Sequence, residues 1–355
     1  MKTIARDYLG RLLIGEHLIN SFDVVPNTFE DMYAMIDNNG IKFRLFNIKS
    51  PTIKPDETIE CTAKNIYTED AFLLVFGGWI PCSLIKNNTI IIADRNIINE
   101  ITNRYKNGKK KKNDPLDALD GIFLQGNHSI DITVFVIEGN KKKIPENSDI
   151  DEQVIEITNK LKSALPNLKI AKYPNGNGYY YAIRDFLSGM INKRMAFLKD
   201  VAPKLNKQFT EKSREVAANH IFESAKRINL EKNDISIILA LLRITMLGKK
   251  TAAQLVLKDS QIYTEENAYN AACDLAAIEL LINLHNFHIK NNSTFNIAFM
   301  TKDKGLSLFN SLFANTKVTS SDGAKLTVTA QLNFSIFGDD HEIIQKYNDW
   351  FTGKI

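Results

Sequence analysis

The sequence is poor in cysteine and contains no long apolar run. Three cysteines, Cys61, Cys82 and Cys273, occur in 355 residues and none forms a CxxC pair. This spacing argues against a disulfide framework and against a structural zinc site. The longest apolar candidate, residues 235–247, is shorter than a membrane span requires and is interrupted by Arg243. It therefore predicts a buried helix, and no membrane partner is expected.

A signal-like segment is also missing at the amino terminus. The stretch "MKTIARDYLGRLL" is amphipathic and includes Asp7, whereas a cleaved signal needs an apolar central region. We therefore expect a cytoplasmic protein. The remaining composition, 44% hydrophobic and 24% charged with a net charge of +4, is typical of a soluble chain with two domains or one domain carrying large insertions.

The order of predicted elements indicates an α/β protein. Residues 1–87 predict a small α+β region of unknown role, with a first helix followed by strands in "IKFRLFNI" and "AFLLVFGGWIPCSLI". From residue 88 to about 320, strands and helices alternate, which predicts a parallel sheet. Residues 321–355 predict one or two strands and a final helix. The elements predicted after residue 88 are strands at 89–93, 131–139 and 294–305, helices from about 97, at 149–165 and at 264–287, and a helical insertion at about 175–260.

Four acidic residues occupy special positions in this α/β part. Asp94, Glu138 and Asp303 each end a predicted strand, where open α/β sheets place their ligand crevices. Asp274 lies on an apolar, Ala-rich helical face, one turn after Asn270. A carboxylate on such a face is costly to bury unless it is paired, hydrogen-bonded or bound to a cation.

A simpler interpretation exists for the first of these acids. Asp94 or Asn96 could cap the helix that follows the strand, which is an ordinary use of Asp and Asn. We expect capping to be secondary for Asp94, because three further acids occupy comparable positions.

Basic residues cluster in two loop-like segments beside the predicted strand ends. "NRYKNGKKKKND" at 103–114 holds six Lys or Arg, and "GNKKKIP" at 139–145 follows the second strand. Solvated loops are the simpler interpretation, while a site at the strand ends would use such cations to attract phosphate. The lysines predicted to contact nucleic acid are Lys109, Lys110, Lys111, Lys112, Lys141, Lys302 and Lys304.

The order of the four acids resembles that of the PIN-like (PIN domain) nuclease superfamily. "IIIADRNII", with Asp94 and Asn96, looks like the opening strand of that family, and "DLAAIELL" followed by "AFMTKDKGL" looks like its closing helix and strand. The match of Glu138 to the second acidic position is weaker, and Asp117 or Asp120 of "DPLDALDGI" competes for that role. The resemblance covers about residues 89–172 and 262–312.

The resemblance implies a parallel-sheet PIN-like core and metal-dependent hydrolysis of nucleic acid. Asp94, Glu138, Asp274 and Asp303 would be the catalytic residues and the ligands of Mg²⁺ or Mn²⁺, the hard cations that carboxylates prefer. Asn96 and Asn270 would orient a ligand or water. Single-stranded RNA is favoured over DNA as the substrate, and a toxin-like or phage-defence effector restrained by a regulatory protein partner fits this activity. The alternative is a catalytically inactive PIN-like module that binds nucleic acid or a protein partner.

Overall fold

The computed structural model describes most of the chain from residue 88 onward and parts of the region before it. The described residues are 4–6, 12–24, 41–54, 56–63, 71–75, 78–82, 85, 88–245, 251–258, 262–290, 295–313, 317–322, 325–329, 334–338 and 340–354. The strands are β1 (Ile4–Arg6), β2 (Leu12–Ile14), β3 (His17–Val24), β4 (Ile41–Lys49), β5 (Ile59–Ala63), β6 (Phe72–Val75), β7 (Gly78–Pro81), β8 (Thr89–Ala93), β9 (Tyr105–Lys106), β10 (Lys109–Lys110), β11 (Ser129–Asp131), β12 (Lys169–Ile170), β13 (Asn296–Thr301), β14 (Lys317–Asp322) and β15 (Lys325–Thr329).

The α-helices surround and extend this framework. They are α1 (Arg95–Arg104), α2 (Ala118–Asp120), α3 (Thr133–Glu138), α4 (Asn147–Ala164), α5 (Gly178–Leu205), α6 (Glu211–Ile228), α7 (Ile235–Thr245), α8 (Ala252–Leu257), α9 (Glu265–Lys290), α10 (Lys304–Asn310) and α11 (His341–Phe351). A π-helical turn, Gly121–Gln125, continues α2, and a 3₁₀ turn, Phe334–Phe337, precedes α11. No helix in these described segments is both long and apolar enough to cross a membrane.

The amino-terminal region forms an antiparallel sheet in the order β1-β2-β3-β4-β5. The first helix predicted from "MKTIARDYLGRLL" is wrong, because its described parts are strands β1 and β2, which pair with each other from Ile4 to Ile14. A two-residue turn at Gly15, with φ of +64°, joins β2 to β3. Backbone pairing with the next strand therefore overrides the helical periodicity of this stretch. The predicted strand in "IKFRLFNI" is confirmed as β4.

A six-stranded sheet in the order β12-β11-β8-β13-β6-β7 forms the centre of the molecule. Strands β12, β11, β8 and β13 are mutually parallel, and β6 and β7 extend the sheet antiparallel to them. The structure thus confirms a mixed α/β fold with a mostly parallel sheet. The predicted boundary at residue 88 needs correction, because β6 and β7 come from the earlier region and complete this sheet. Antiparallel pairing of β6 with β13 closes the edge of β13 that would otherwise stay open.

The prediction of a strand over residues 131–139 also needs correction. The strand ends at Asp131, whose Oδ1 accepts the backbone N–H of Thr133 at 2.7 Å and turns the chain into helix α3. Gly139, with φ of +67°, follows the end of that helix in a conformation that favours glycine. Glu138 therefore ends a helix and not a strand.

The predicted helical insertion is present as α5 to α8, and α5 packs on α9. A buried ionic network joins them. The guanidinium of Arg194, which is fully buried, donates to Asp234 at 3.0 Å and to both oxygens of Glu279 at 2.5 and 2.9 Å. Such a network penalises any displacement of the helices, because losing one partner leaves a buried charge uncompensated.

The carboxyl-terminal region contains the predicted final helix, α11, and a predicted strand, β15, which pairs with β14, a strand that begins just before the predicted region. Trp350 of α11 is buried against Phe222 of α6, with ring centroids 4.4 Å apart. Its indole N–H donates to the backbone oxygen of Lys232 at 2.9 Å. The end of the chain is thus anchored on the helical insertion. Residues 291–294, between α9 and β13, lie outside the described residues.

Candidate functional site

The carboxyl ends of the parallel strands meet at one edge of the central sheet. In the register of β8 and β13, Ala93 lies opposite Met300, and the backbone N–H of Asp94 donates to the Met300 oxygen at 3.1 Å. The hydroxyl of Thr301 donates to Asp94 Oδ2 at 2.6 Å. Two of the predicted site acids, Asp94 and Asp303, therefore follow adjacent strands, at the edge where α/β sheets bind ligands.

Both of these acids also cap helices. Asp94 Oδ1 accepts the backbone N–H of Asn96 and begins α1, and Asp303 Oδ1 accepts the backbone N–H of Leu306 at 2.9 Å and begins α10. Capping by Asp94 is thus a direct contact, and the expectation that it is secondary to a metal-binding role stays a prediction. The second oxygen of each carboxylate, Asp94 Oδ2 and Asp303 Oδ2, makes its contact away from its own helix.

Glu138 reaches the same edge from the end of α3. Its Oε1 lies 3.4 Å from Arg95 Nε and 3.7 Å from Lys142 Nζ. The Lys142 ammonium also donates to Asn270 Oδ1 on α9, at 3.1 Å. The hydroxyl of Tyr269 donates to the backbone oxygen of Glu138 at 2.8 Å, which fixes α9 against α3.

Asp274 of α9 completes a group that we call the acidic cluster: Asp94, Glu138, Asp274 and Asp303. Burial raises the pKa of Asp274 well above its usual range, and the carboxylates of Asp303, Glu138 and Asp94 add to this while Lys258 opposes it. Burial also raises the pKa of Asp94, against hydrogen bonds from Thr301 and Asn96 that lower it. Glu138 and Asp303 contribute to the rise for Asp94 as well. The four predicted acids therefore face one region of like charge.

Three cations lie beside the acidic cluster: Arg95, Lys142 and Lys258. Lys258 follows α8, in the helical insertion, and its Nζ is 3.7 Å from Asp303 Oδ2. Sequence reasoning did not assign these three residues to the site. Arg95 is adjacent to Asp94, and Lys142 lies in the second basic segment, so the sequence contains a signal for both. The approach of Lys258 depends on the folding of the insertion.

The lysines predicted beside Asp303 are placed differently. Lys302 is turned toward α1, with its Nζ 3.2 Å from Glu100 Oε2. Lys304 is the first residue of α10. Lys141, predicted from the second basic segment, pairs with Asp149 at 2.6 Å on the exposed surface. Lys142 rather than Lys141 is thus the residue of its segment that approaches Glu138.

The first basic segment forms the β9–β10 hairpin and the bend after it. Lys110 pairs with Asp114 at 2.5 Å and with Asp120 at 2.9 Å, and Lys111 donates to the Thr102 oxygen at 3.1 Å. Lys109 and Lys112 are exposed. The segment therefore combines neutralised and solvent-facing cations.

The alternative second acids, Asp117 and Asp120, lie away from the cluster. Both bind the guanidinium of Arg104, with Asp120 Oδ1 at 2.9 Å from its Nε. Arg104 is the last residue of α1 and Asp94 caps the first turn, so a helix of about 15 Å separates the two groups. Glu138 is the candidate that the structure places with the other acids.

Carboxylates are suitable ligands for a hard divalent cation. Burial, with a further contribution from the neighbouring carboxylates, raises the pKa of Asp274 and of Asp94. The distances between the carboxylates fit a metal site less well. Among the described residues, no three donors of the His, Cys, Asp or Glu type lie close enough to hold one metal ion. The donor set therefore fits Mg²⁺ or Mn²⁺ in its chemistry, and binding would require the oxygens to draw together.

No family model, curated protein or solved structure matches this chain. Function must therefore be inferred from the chemistry of the acidic cluster and its surroundings.

Proposed function

We propose that this protein is a metal-dependent nuclease with a PIN-like core, which hydrolyses phosphodiester bonds and prefers single-stranded RNA to DNA. The observation that supports the proposal is that Asp94, Glu138 and Asp303, which come from separate segments near the carboxyl edge of the parallel sheet, all raise the pKa of the buried Asp274. The PIN-like assignment rests on the order of these acids along the chain. A toxin-like or phage-defence role would require a regulatory protein partner to restrain the activity.

Each residue of the site would have a distinct role. Asp94, Glu138, Asp274 and Asp303 would hold Mg²⁺ or Mn²⁺, which when bound activates water and stabilises the negative charge that develops on the phosphate. Thr301 fixes Asp94 through its hydroxyl. Asn270 holds the ammonium of Lys142 near Glu138, where it can also meet an anionic substrate. Asn96 is exposed beside Asp94 and would orient water or ligand.

A second candidate function has its own support. The cations Arg95, Lys142 and Lys258 already lie beside the acids, and the described donors do not converge on one metal position. These observations favour a PIN-like module that binds nucleic acid or a protein partner without cleaving it. The two candidates differ in one measurable property, which is metal-dependent cleavage.

The test is incubation of end-labelled single-stranded RNA and DNA with the protein in Mn²⁺, in Mg²⁺ and in chelator. The variants Asp94→Asn and Asp303→Asn keep a good helix-capping side chain while removing the charge. We expect each to lose metal-dependent cleavage by about 100-fold or more, since even supporting contacts of a metal site cost up to that much. The matched control is Asp340→Asn, because Asp340 caps α11 in the same way but has no place in the acidic cluster.

Cleavage that needs metal, disappears in both site variants and persists in the Asp340→Asn control would support the nuclease. Absence of cleavage by the wild-type protein, with salt-sensitive binding of the same strands, would favour the binding module instead. Cleavage that survives chelator would contradict both candidates.

A further inference from the structure

A polar groove of about 780 Å³ lies between α1 and α4, beside the acidic cluster. Helix α1 contributes amides to its wall and α4 contributes Lys160 and Ser163. Tyr105 and Phe135 also line it. The cationic and amide side chains in the lining are Arg95, Lys106, Lys111, Lys160, Asn99, Asn103 and Asn140.

Arg95 connects the groove to the acidic cluster. Its Nε is 3.4 Å from Glu138 Oε1, while its guanidinium also lines the groove. The guanidinium is fixed by three further contacts: it lies 4.4 Å from the centre of the Phe135 ring and donates to Asn140 Oδ1 at 2.7 Å and to the Gly139 oxygen at 2.6 Å. One end of the groove is therefore held at the acids by a side chain that is already ordered.

The charge of the groove is positive. Against its four cations stands Glu156, which pairs with Lys160 at 2.5 Å. Lys106 is exposed at the far end, beyond the last turn of α1. Because a helix rises about 1.5 Å per residue, Arg95 and Lys106 are roughly 15 Å apart along the groove. Cations spaced along a channel of this kind match a chain of phosphates better than a single small anion.

We infer that this α1–α4 groove binds the sugar–phosphate backbone of one nucleic-acid strand and leads it to the acidic cluster. The inference rests on the proposed nuclease function. Lys106 and Lys160 contact phosphates, and Arg95 meets the phosphate nearest the acids. Asn99 and Asn103 offer hydrogen bonds to base edges, which are open to such contacts in an unpaired strand.

The test measures binding separately from cleavage. Fluorescence anisotropy of a labelled single-stranded RNA, and of the DNA of the same sequence, is recorded in chelator over a range of salt concentrations. We expect the double variant Lys106→Gln, Lys160→Gln to bind about tenfold or more weakly at low salt. The plot of log affinity against log salt should become less steep, by about 0.7 in slope for each lysine that contacts a phosphate of a single strand.

The matched control is Lys212→Gln. Lys212 is an exposed lysine of α6 and is not part of the groove lining, so its removal changes the net charge without touching the groove. We expect it to bind with the slope of the wild type. A second variant, Asn103→Ala, should weaken binding while leaving the salt slope unchanged, because it removes a hydrogen-bonding group and no charge.

The outcomes separate this inference from the proposed function. Normal binding by the double variant, or no binding by the wild-type protein, would overturn the inference that the groove binds nucleic acid, even if Asp303→Asn abolishes cleavage. Weak binding by the double variant supports the groove even if no form of the protein cleaves, in which case the nuclease proposal fails alone. Stronger binding of RNA than of DNA supports contact with the 2′-hydroxyl, and equal binding supports contact with phosphate only.

Discussion

Among single residues, Asp274 differs from the other members of the acidic cluster. Asp94 and Asp303 each accept hydrogen bonds that offset the loss of water, and Glu138 has two cations near one oxygen. For Asp274, the compensation found among the described residues is the attraction of Lys258. Asp274 is thus the acid whose ionisation opposes folding most directly.

The first prediction concerns Asp274→Asn. An acid whose pKa is raised in the folded state binds its proton more tightly there than in the unfolded chain, so its ionisation lowers stability. The penalty is absent below the usual value of 3.8 and grows as the pH rises toward the folded pKa. In chelator, the variant should therefore melt higher than the wild type by about 1–2 °C at pH 8, the shift expected for roughly 1 kcal/mol in a chain of 355 residues.

The gain should be smaller at pH 5 than at pH 8, as measured by thermal melts followed by circular dichroism. Asp185→Asn is the control, because Asp185 is an exposed acid of α5. A gain that is equal at both pH values would mean that ionisation of Asp274 does not oppose folding.

The positions of Asp94, Asp274 and Asp303 could be predicted from the sequence, whereas the approach of Lys258 could not. Strand ends and an apolar helix face mark Asp94, Asp274 and Asp303 in the local pattern. Lys258 carries no such mark, because it approaches Asp303 only when the helical insertion folds back on the sheet. Local pattern thus identifies residues that need compensation, while tertiary structure determines which residues supply it.

Among elements, the contact of α8 with α10 controls the geometry of the acidic cluster. Helix α10 begins after Asp303 and α8 ends before Lys258. Gly305 allows the two helices to approach, because a Cβ at this position would lie 2.4 Å from Leu255 Cβ and 3.0 Å from the Leu255 carbonyl carbon. The absence of a side chain at Gly305 therefore brings Lys258 and Asp303 together.

We expect Gly305→Ala to destabilise the protein by about 1–3 kcal/mol, since overpacking at a close backbone contact forces a shift of the helices. Gly189→Ala is the matched control. Gly189 lies within α5, and no atom lies within 4 Å of the position that a Cβ would occupy, so alanine there should stabilise by about 0.4–1 kcal/mol. Urea denaturation at pH 7 measures both changes, and destabilisation of equal size in the two variants would contradict the packing argument.

Helix α3 shows why one element was predicted wrongly. Its sequence, Thr133–Glu138, is rich in β-branched and aromatic residues, which favour a strand on local preference alone. The turn at Asp131 and burial of Phe135, Val136 and Ile137 decide the outcome, because tertiary packing outweighs a preference worth a few tenths of a kcal/mol per residue. The strands before and after this stretch, β8 and β13, had no such conflict.

At the scale of the whole molecule, one contiguous core joins the central sheet to the helical insertion. It includes Trp79 of β7 and Trp350 of α11, which are both about 1% exposed and belong to distant parts of the sequence. The α/β class could be predicted from alternating elements. The pairing of β6 with β13 could not, because it joins residues near 73 to residues near 300 and leaves no periodic signal in either segment.

The shared core predicts that the parts of the molecule around Trp79 and around Trp350 unfold together. In the variants Trp79→Phe and Trp350→Phe, the remaining tryptophan reports on one part of the molecule. In each variant we expect the fluorescence transition in urea to have the same midpoint as the transition followed by far-ultraviolet circular dichroism. Two separate transitions in either variant would indicate domains that unfold independently.

Asp94 and Asp303 cap helices in addition to the catalytic role proposed for them, and this has a consequence for the evolution of the protein. Because each begins a helix, natural selection for folding alone would preserve both residues in a lineage that had lost catalysis. Asp274 caps no helix, and its charge opposes folding, so the same selection would replace it once activity was no longer needed. If the proposed nuclease activity is correct, the residue at position 274 should therefore distinguish homologues that cleave from homologues that retain only the scaffold.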